Sequence, residues 1–172
     1  MGRVLLDEYL RLIDAAFATP LTADRLSHSV LGNLGSVPEA ALDWVPPGGM
    51  RTVRDIAEHV GGAVLTYVDY AFGERRFTPE NGLPTPPQGD AATLREIEDW
   101  MKAAHSGLAA AILAVPDDTA LDGWFTSIWG DRRTIRDLLS MMIQHYVYHA
   151  GEINHLRGLY EQRDAWAWEL DR

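Results

Sequence analysis

Apolar residues recur at helical spacing in five stretches of the chain, and segments rich in proline or glycine separate most of these stretches. Within each stretch the apolar positions lie three or four residues apart, which is the period of an amphipathic α-helix. In the last stretch the apolar stripe contains Ile135, Leu138, Met142, Tyr146 and Ile153. The pattern predicts an all-α fold with helices over residues 3–17, 23–35, 52–73, 93–115 and 134–160.

The same short motif opens the three longest of these predicted helices. Thr52, Thr93 and Thr134 lie 41 residues apart, and each is followed three residues later by Asp or Glu. This spacing predicts a capping box, in which the threonine and the carboxylate satisfy free N–H groups of the first helical turn. The similarity ends after five residues, so we interpret it as one capping solution used three times rather than as an internal repeat. The second helix is predicted to begin with Thr22 as its cap.

Three long connections join the predicted helices. Residues 36–51 allow a single helical turn, residues 74–90 form a surface loop, and residues 116–133 can form a small hairpin or an extended flap. The aromatic residues between positions 124 and 129 have two interpretations. They are either one wall of a substrate pocket or a plug over the end of the bundle.

Two histidines lie four residues apart on the last predicted helix, so they share one face. His149 falls within the apolar stripe and His145 falls at its edge, which predicts that both rings point toward the core. A buried neutral imidazole needs partners for its ring nitrogens. A divalent metal ion bound by both rings satisfies this requirement, provided that another helix supplies at least one further ligand.

His59 is the candidate for that further ligand, because it also leans toward the apolar stripe of its helix. Three neutral imidazoles with one open position form the type of site in which zinc or a similar ion activates a bound water or thiol. The glycines at positions 61 and 62 indicate either tight helix packing or room for a ligand beside His59. His105 lies off its apolar stripe and is predicted to be exposed, and His28 is expected to have a surface or packing role.

Glu152 is the candidate catalytic residue. It lies on the same side of the helix as His145 and His149, where it could accept a hydrogen bond from a metal-ligating histidine or transfer a proton. The alternative is a polar residue at the end of the bundle. Asp55, one turn before His59, is expected to belong to the Thr52 cap.

The composition limits the classes of partner and of chemistry. The formal net charge of −10 argues against nucleic acid or an anionic membrane as a partner. No apolar run of 18 residues and no secretory leader are recognisable, so we expect a cytoplasmic protein. The chain has no cysteine. Any metal ligands are therefore His, Asp, Glu or water, and any thiol chemistry needs a thiol from outside the protein.

Two segments resemble a known family. His145, His149, Gly151 and Ile153 form the pattern HxxxHxGxI, and residues 42–59 resemble the first connection and second helix of the same family. The family is the DinB-like (DinB/YfiT) superfamily, and the resemblance extends from about residue 22 to residue 160.

The length of 172 residues indicates a single domain over residues 1–172. The resemblance implies that this domain is a four-helix bundle with up-down-down-up order and long crossover loops. The bundle core would span about residues 22–161, and the extra N-terminal helix over residues 3–17 and the tail over residues 162–172 are departures from the family pattern. The resemblance also implies a divalent ion, Zn²⁺ or Ni²⁺, held by His59, His145 and His149, and frequent homodimers.

Three functions are compatible with such a site. Characterised members of the family are thiol-dependent S-transferases and isomerases that use bacillithiol, mycothiol or glutathione, so a transferase acting on a small-molecule substrate is the first hypothesis. The second is a metal-dependent hydrolase that activates water. The third is a non-catalytic metal-binding protein with a structural, sensing or stress-response role.

Overall fold

A computed structural model describes residues 2–18, 28–166 and 169–170. Within these residues the regular secondary structure is helical apart from one short hairpin, which confirms the all-α prediction. The described elements are α1 (Val4–Ala18), α2 (Val30–Leu34), α3 (Val53–Phe72), α4 (Leu94–Ala114), β1 (Trp124–Thr126), β2 (Arg132–Thr134) and α5 (Ile135–Glu161). No helix in these ranges combines the length and hydropathy that crossing a membrane requires.

All three predicted capping boxes are present. At the start of α3, the Asp55 backbone N–H donates to Thr52 Oγ1 at 3.0 Å, and the Thr52 backbone N–H donates to Asp55 Oδ2 at 2.8 Å. Thr93 and Thr134 form the same reciprocal pairs at the starts of α4 and α5. These caps satisfy N–H groups that would otherwise lack partners in the first turn of each long helix. The predicted cap Thr22 lies outside the described residues, and α2 begins after Ser29, whose side chain accepts from the Gly32 N–H.

The N-terminal helix is part of the common core. Leu6, Ile13 and Phe17 of α1 are buried in the same apolar cluster as residues of α3, α4 and α5. Sequence analysis treats this helix as an addition to a bundle that begins near residue 22. In the structure α1 instead covers part of α5 and α4, which determines the surroundings of His105.

The glycine pair in α3 is a packing feature. A Cβ atom placed on Gly61 would lie 2.3 Å from Cζ3 of Trp100, and one on Gly62 would lie 2.5 Å from the backbone oxygen of Pro84. Any larger residue would force α4 or the loop before it away from α3. Of the two interpretations of this pair, close packing is therefore the correct one.

A buried arginine fixes the connection between α2 and α3. Arg54 donates from Nε and Nη2 to the two carboxylate oxygens of Asp43 at 2.6 and 3.0 Å. Its Nη1 donates to the backbone oxygen of Ala92 at 2.6 Å. Because Asp43 precedes α3 and Ala92 precedes α4, this bidentate pair ties both connections to the first turn of α3.

The segment between α4 and α5 contains the predicted hairpin. Strands β1 and β2 pair antiparallel, with Trp124 opposite Thr134 and Thr126 opposite Arg132. Phe125 points into the core, whereas Trp124 and Trp129 are exposed. The hairpin therefore lies at the end of the bundle where α5 begins.

Candidate metal centre

The rings of three histidines from two helices meet at one place. His59 lies on α3, and His145 and His149 lie one turn apart on α5. The Nε2 atom of His145 lies 3.1 Å from Nε2 of His59 and 3.1 Å from Nε2 of His149. One nitrogen from each of the three rings can be chosen so that all lie within 4.8 Å of one another. The structure thus brings together the three residues that the sequence analysis selects as metal ligands.

The three rings differ in exposure. His149 is buried, His145 is half-buried, and His59 is exposed at the edge of the cluster. His59 therefore does not point into the core as its position on the stripe suggests. Its ring reaches along the surface to the α5 pair, which leaves one side of the cluster open to solvent.

Glu152 fixes the tautomer of His149. The Nδ1 atom of His149 lies 2.6 Å from Glu152 Oε2, one turn further along α5. A carboxylate accepts hydrogen bonds, so the proton of the ring lies on Nδ1 and the lone pair on Nε2 faces the other histidines. This is the arrangement in which a carboxylate orients a metal-ligating histidine.

The surroundings of all three imidazoles favour their neutral form, most strongly at His145. The pKa of His145 is lowered to about 3, first by burial and then by the neighbouring His149 and His59. Burial also lowers the pKa of His59 and of His149, although Glu152 partly opposes the shift at His149. Neutral imidazoles with free lone pairs are the form that binds metal ions.

The donor set fits a divalent ion such as zinc. Two nitrogens bound to one zinc ion at about 2.05 Å lie about 3.1–3.4 Å apart when the angle between the bonds is near tetrahedral. The two Nε2–Nε2 distances of 3.1 Å that involve His145 fall within that range. For the third pair, His59 and His149, the donor atoms lie within 4.8 Å of each other. Without an ion, His145 Nε2 can donate its single proton to only one neighbour, and the remaining lone pairs would repel. Among the residues that the structure describes, no other group satisfies all three nitrogens.

His105 does not lie at this site, and its predicted exposure is wrong. Its side chain is only 13% exposed because Phe17 of α1 covers it, with the two rings stacked and their centroids 4.0 Å apart. Its Nε2 lies 3.0 Å from Asp14 Oδ1, and its Nδ1 lies 3.3 Å from the hydroxyl of Tyr146. The apolar stripe of α4 alone could not reveal this burial, because the covering residues come from another helix.

The remaining candidate residues from the sequence, Asp55, His28 and His155, are not among the three clustered histidines. Asp55 belongs to the Thr52 capping box, as expected. His28 and His155 are exposed and lie outside the three-histidine cluster.

Two cavities lie at or next to the cluster. The first, of about 140 Å³, is lined by Arg51, Asp55, Ile56, His59 and His149. The second, of about 370 Å³, shares Arg51 and Ile56 with the first, and its lining also includes Pro46, Met50, Leu156, Glu152 and His155. Arg51 therefore belongs to the walls of both cavities.

The aromatic hairpin does not form a wall of these cavities. Trp124 lines a different cavity, of about 670 Å³, together with Phe72 near the end of α3 and Ile135 at the start of α5. His145 lies ten residues after Ile135, which corresponds to about 15 Å along the helix axis. Trp124 therefore lines a cavity, but this cavity does not border the histidine cluster, and the two interpretations of the aromatic residues stay predictions.

Comparison with known families agrees with this geometry. The family model described as the DinB superfamily matches residues 22–153, which is more than half of the chain and includes all three clustered histidines. The chain belongs to the DinB superfamily. No curated protein matches this DinB superfamily member at a significant level.

Two residues at this DinB superfamily site escape sequence reasoning. Arg51 lies in a connection with no apolar period, so no pattern indicates which way it faces. Tyr148 is exposed, and its hydroxyl is hydrogen bonded to Glu152, which raises the pKa of the tyrosine. Its position three residues after His145 and four before Glu152 on one helix could have suggested this contact.

Proposed function

We propose that this protein is a divalent-metal-dependent transferase that joins an external low-molecular-weight thiol to a small-molecule electrophile. His59, His145 and His149 would hold the ion, with Zn²⁺ or Ni²⁺ the preferred metals. The observation that carries the proposal is the convergence of three neutral imidazoles beside an open cavity. A divalent ion bound there would lower the pKa of a coordinated thiol so that the sulfur becomes a nucleophile near neutral pH.

The residues of the chain would orient the reactants and support the ligands. Glu152 holds His149 in the tautomer that offers Nε2, and the exposed edge at His59 gives access from solvent. The chain has no cysteine, so the thiol must come from a small molecule such as bacillithiol, mycothiol or glutathione. The sulfur would form a bond to a carbon of the electrophile as the bond from that carbon to its leaving group breaks. The leaving group would depart with the bonding electron pair, and the thiol proton would pass to solvent.

The environment of Glu152 favours a transferase over a hydrolase. Hydrolysis needs a group that moves protons between water and the leaving group. Glu152 is the carboxylate placed for that role by its position on α5, but it already accepts hydrogen bonds from His149 and Tyr148. We therefore assign it an orienting role. A non-catalytic binding protein would be expected to close its site with a fourth protein ligand, whereas this cluster opens into a cavity.

The test combines metal analysis with turnover measurements. The wild-type protein reconstituted with zinc or nickel should bind about one ion per chain. His145→Ala should lose that ion, whereas Gln144→Ala, an exposed neighbour on α5, should retain it. The loaded wild-type protein should consume thiol against a panel of electrophiles. Absence of bound ion in the wild type would contradict the proposal, and turnover of substrate without any thiol would indicate the hydrolase instead.

A further inference from the structure

Arg51 is the residue that the two cavities at the histidine cluster share on their polar side. It lines the small cavity with His59 and His149, and it lines the larger cavity with Met50 and Leu156. It directly precedes the Thr52 cap of α3, so its backbone is fixed relative to His59. The Arg54–Asp43 pair fixes the same connection from the other side.

Arg51 has no carboxylate partner among the residues that the structure describes. Eight other arginines in the described ranges each have a carboxylate within 4.0 Å. Arg75, Arg132 and Arg163 likewise have no carboxylate within 4.0 Å among the described residues, so the lack of a partner alone does not distinguish Arg51. What distinguishes Arg51 is its place in the lining of both cavities, where its guanidinium is free to bind a ligand.

The two carboxylates nearest to Arg51 along the cavity walls have other partners. Asp55 Oδ2 accepts from the backbone N–H and the hydroxyl of Thr52 at 2.8 and 2.9 Å. Glu152 accepts from His149 and Tyr148. Neither one is placed to neutralise the guanidinium.

Arg51 lies beside the histidine cluster, because it lines the small cavity together with His59 and His149. A cation beside a cluster suited to a second cation leaves a position of positive potential between them. An anionic group fits that position.

Besides Arg51, the larger cavity has two polar lining residues, Glu152 and His155, and its other side chains are apolar. Pro46, Met50, Ile56 and Leu156 line it, and Met50 is 93% exposed on its rim. A volume of about 370 Å³ is in the range of small-molecule sites. The lining therefore suits a short carbon chain or a ring beside the charged group.

We propose that Arg51 binds the carboxylate of a small-molecule substrate whose carbon skeleton occupies the groove of Pro46, Met50, Ile56 and Leu156. A guanidinium presents two parallel N–H donors that match a planar carboxylate. A single unpaired arginine also matches a monoanion better than a phosphate, whose charge would favour more than one basic group. The proposal rests on the proposed function and extends it, because it specifies a carboxylate on either the thiol or the electrophile.

The first experiment compares hexanoate with hexanamide, which have the same carbon skeleton but differ in charge. Binding to the zinc-loaded protein is followed by NMR through the Arg51 Nε–H resonance in wild type and through backbone amides in all variants. Wild type should bind hexanoate about tenfold more tightly than hexanamide, as expected for a charge-assisted hydrogen bond. Arg51→Gln should lose this preference and Arg51→Lys should keep part of it. Arg95→Gln, which removes an exposed arginine on α4, should leave it unchanged.

A second pair of probes, 3-mercaptopropionate and 3-mercaptopropanol, identifies the source of the carboxylate. A preference that depends on Arg51 for hexanoate assigns the carboxylate to the electrophile, and one found only with the mercapto pair assigns it to the thiol. If Arg51→Gln changes neither preference, or if wild type shows no preference in either pair, the proposal is wrong.

Repeating the hexanoate comparison on metal-free protein separates this proposal from the proposed function. The charge of Arg51 belongs to the chain, so its effect on hexanoate binding should persist without zinc. Failure of the protein to bind zinc would therefore contradict the proposed function while leaving the Arg51 measurement interpretable.

Discussion

Helix α5 contributes to two polar clusters that contain histidine. The two clusters differ in whether protein groups supply hydrogen-bond partners for the ring nitrogens. One contains His105, whose ring nitrogens contact Asp14 and the hydroxyl of Tyr146. The other contains His59, His145 and His149, whose Nε2 atoms face one another. Tyr146 and His145 are adjacent in sequence, so the same turn of α5 serves both clusters from different faces.

The difference separates a structural histidine from a candidate ligand. In the first cluster Asp14 accepts the Nε2 proton and Tyr146 donates to Nδ1, so both ring nitrogens are satisfied by protein groups. In the second cluster the Nδ1 atom of His145 is buried without a partner among the described residues, and its Nε2 meets only other imidazoles. Burial alone does not distinguish the clusters, because both contain buried rings. The clusters differ in their hydrogen bonds, because only the second has a buried ring nitrogen without a partner among the described residues.

The largest expected effect on folding stability comes from the satisfied cluster. His105→Ala removes the stacking on Phe17 and leaves Asp14 and the Tyr146 hydroxyl without a partner, so we expect a loss of about 3 kcal/mol in the free energy of unfolding. His145→Ala in metal-free protein should cost less than about 1 kcal/mol, since it removes no such satisfied network. Urea denaturation with a chelator present measures both values.

Equal losses for the two variants would contradict the distinction between the clusters. Gln144→Ala provides the baseline for an exposed substitution on α5. The metal-free condition is essential, because a bound ion would stabilise the native state of every variant that retains the site.

The carboxylates of the two clusters should differ in their effect on metal affinity. Each accepts a hydrogen bond from a histidine, with Glu152 at 2.6 Å from His149 and Asp14 at 3.0 Å from His105. Glu152→Gln should weaken zinc binding by about 10- to 100-fold, because the amide supports the ligating tautomer of His149 less well. Asp14→Asn should leave zinc affinity unchanged. Competition with a chromophoric chelator provides the affinities, and a similar loss in both variants would mean that the effect is not specific to the cluster.

The sequence predicts best those parts of the fold that depend only on residues close together along the chain. The capping boxes at Thr52, Thr93 and Thr134 are present because each needs only one helical turn. The pairing of His145 with His149 follows from helical geometry in the same way. Their meeting with His59 depends on how α3 and α5 pack, and the sequence indicates it only through the apolar stripes and the resemblance to a family.

The incorrect or missing predictions concern residues whose surroundings are formed by segments distant in the sequence. His105 is buried because α1 brings Phe17 and Asp14 over α4, and no pattern within α4 carries that information. Arg51 was missed for a similar reason, since its orientation depends on the packing of an irregular connection. The sequence also leaves open which cavity the aromatic hairpin lines, because it does not indicate at which end of the helices each connection lies.

The smallest expected effect is a difference in pH dependence between metal-free wild type and His145→Ala. Burial, together with His149 and His59, lowers the pKa of His145 to about 3, whereas an unfolded histidine has a pKa of about 6.5. Below that value the unfolded state binds a proton that the native state does not, so the free energy of unfolding falls as the pH decreases. Between about pH 7 and about pH 5, the His145 ring alone should lower the free energy of unfolding by about 2 kcal/mol. Urea titrations across this range should therefore show a steeper decline for wild type than for His145→Ala.

Gln144→Ala should decline as wild type does, and His105→Ala should remove a smaller part of the slope. Burial also lowers the pKa of His105, but Asp14 opposes that shift, whereas no carboxylate does so at His145. Because no carboxylate favours the protonated form of His145, its nitrogen lone pair stays available to a metal ion. Identical slopes for wild type and His145→Ala would mean that His145 is protonated in the native state as readily as in the unfolded chain. In that case its ring would be solvated, and the physical difference between the two clusters would disappear.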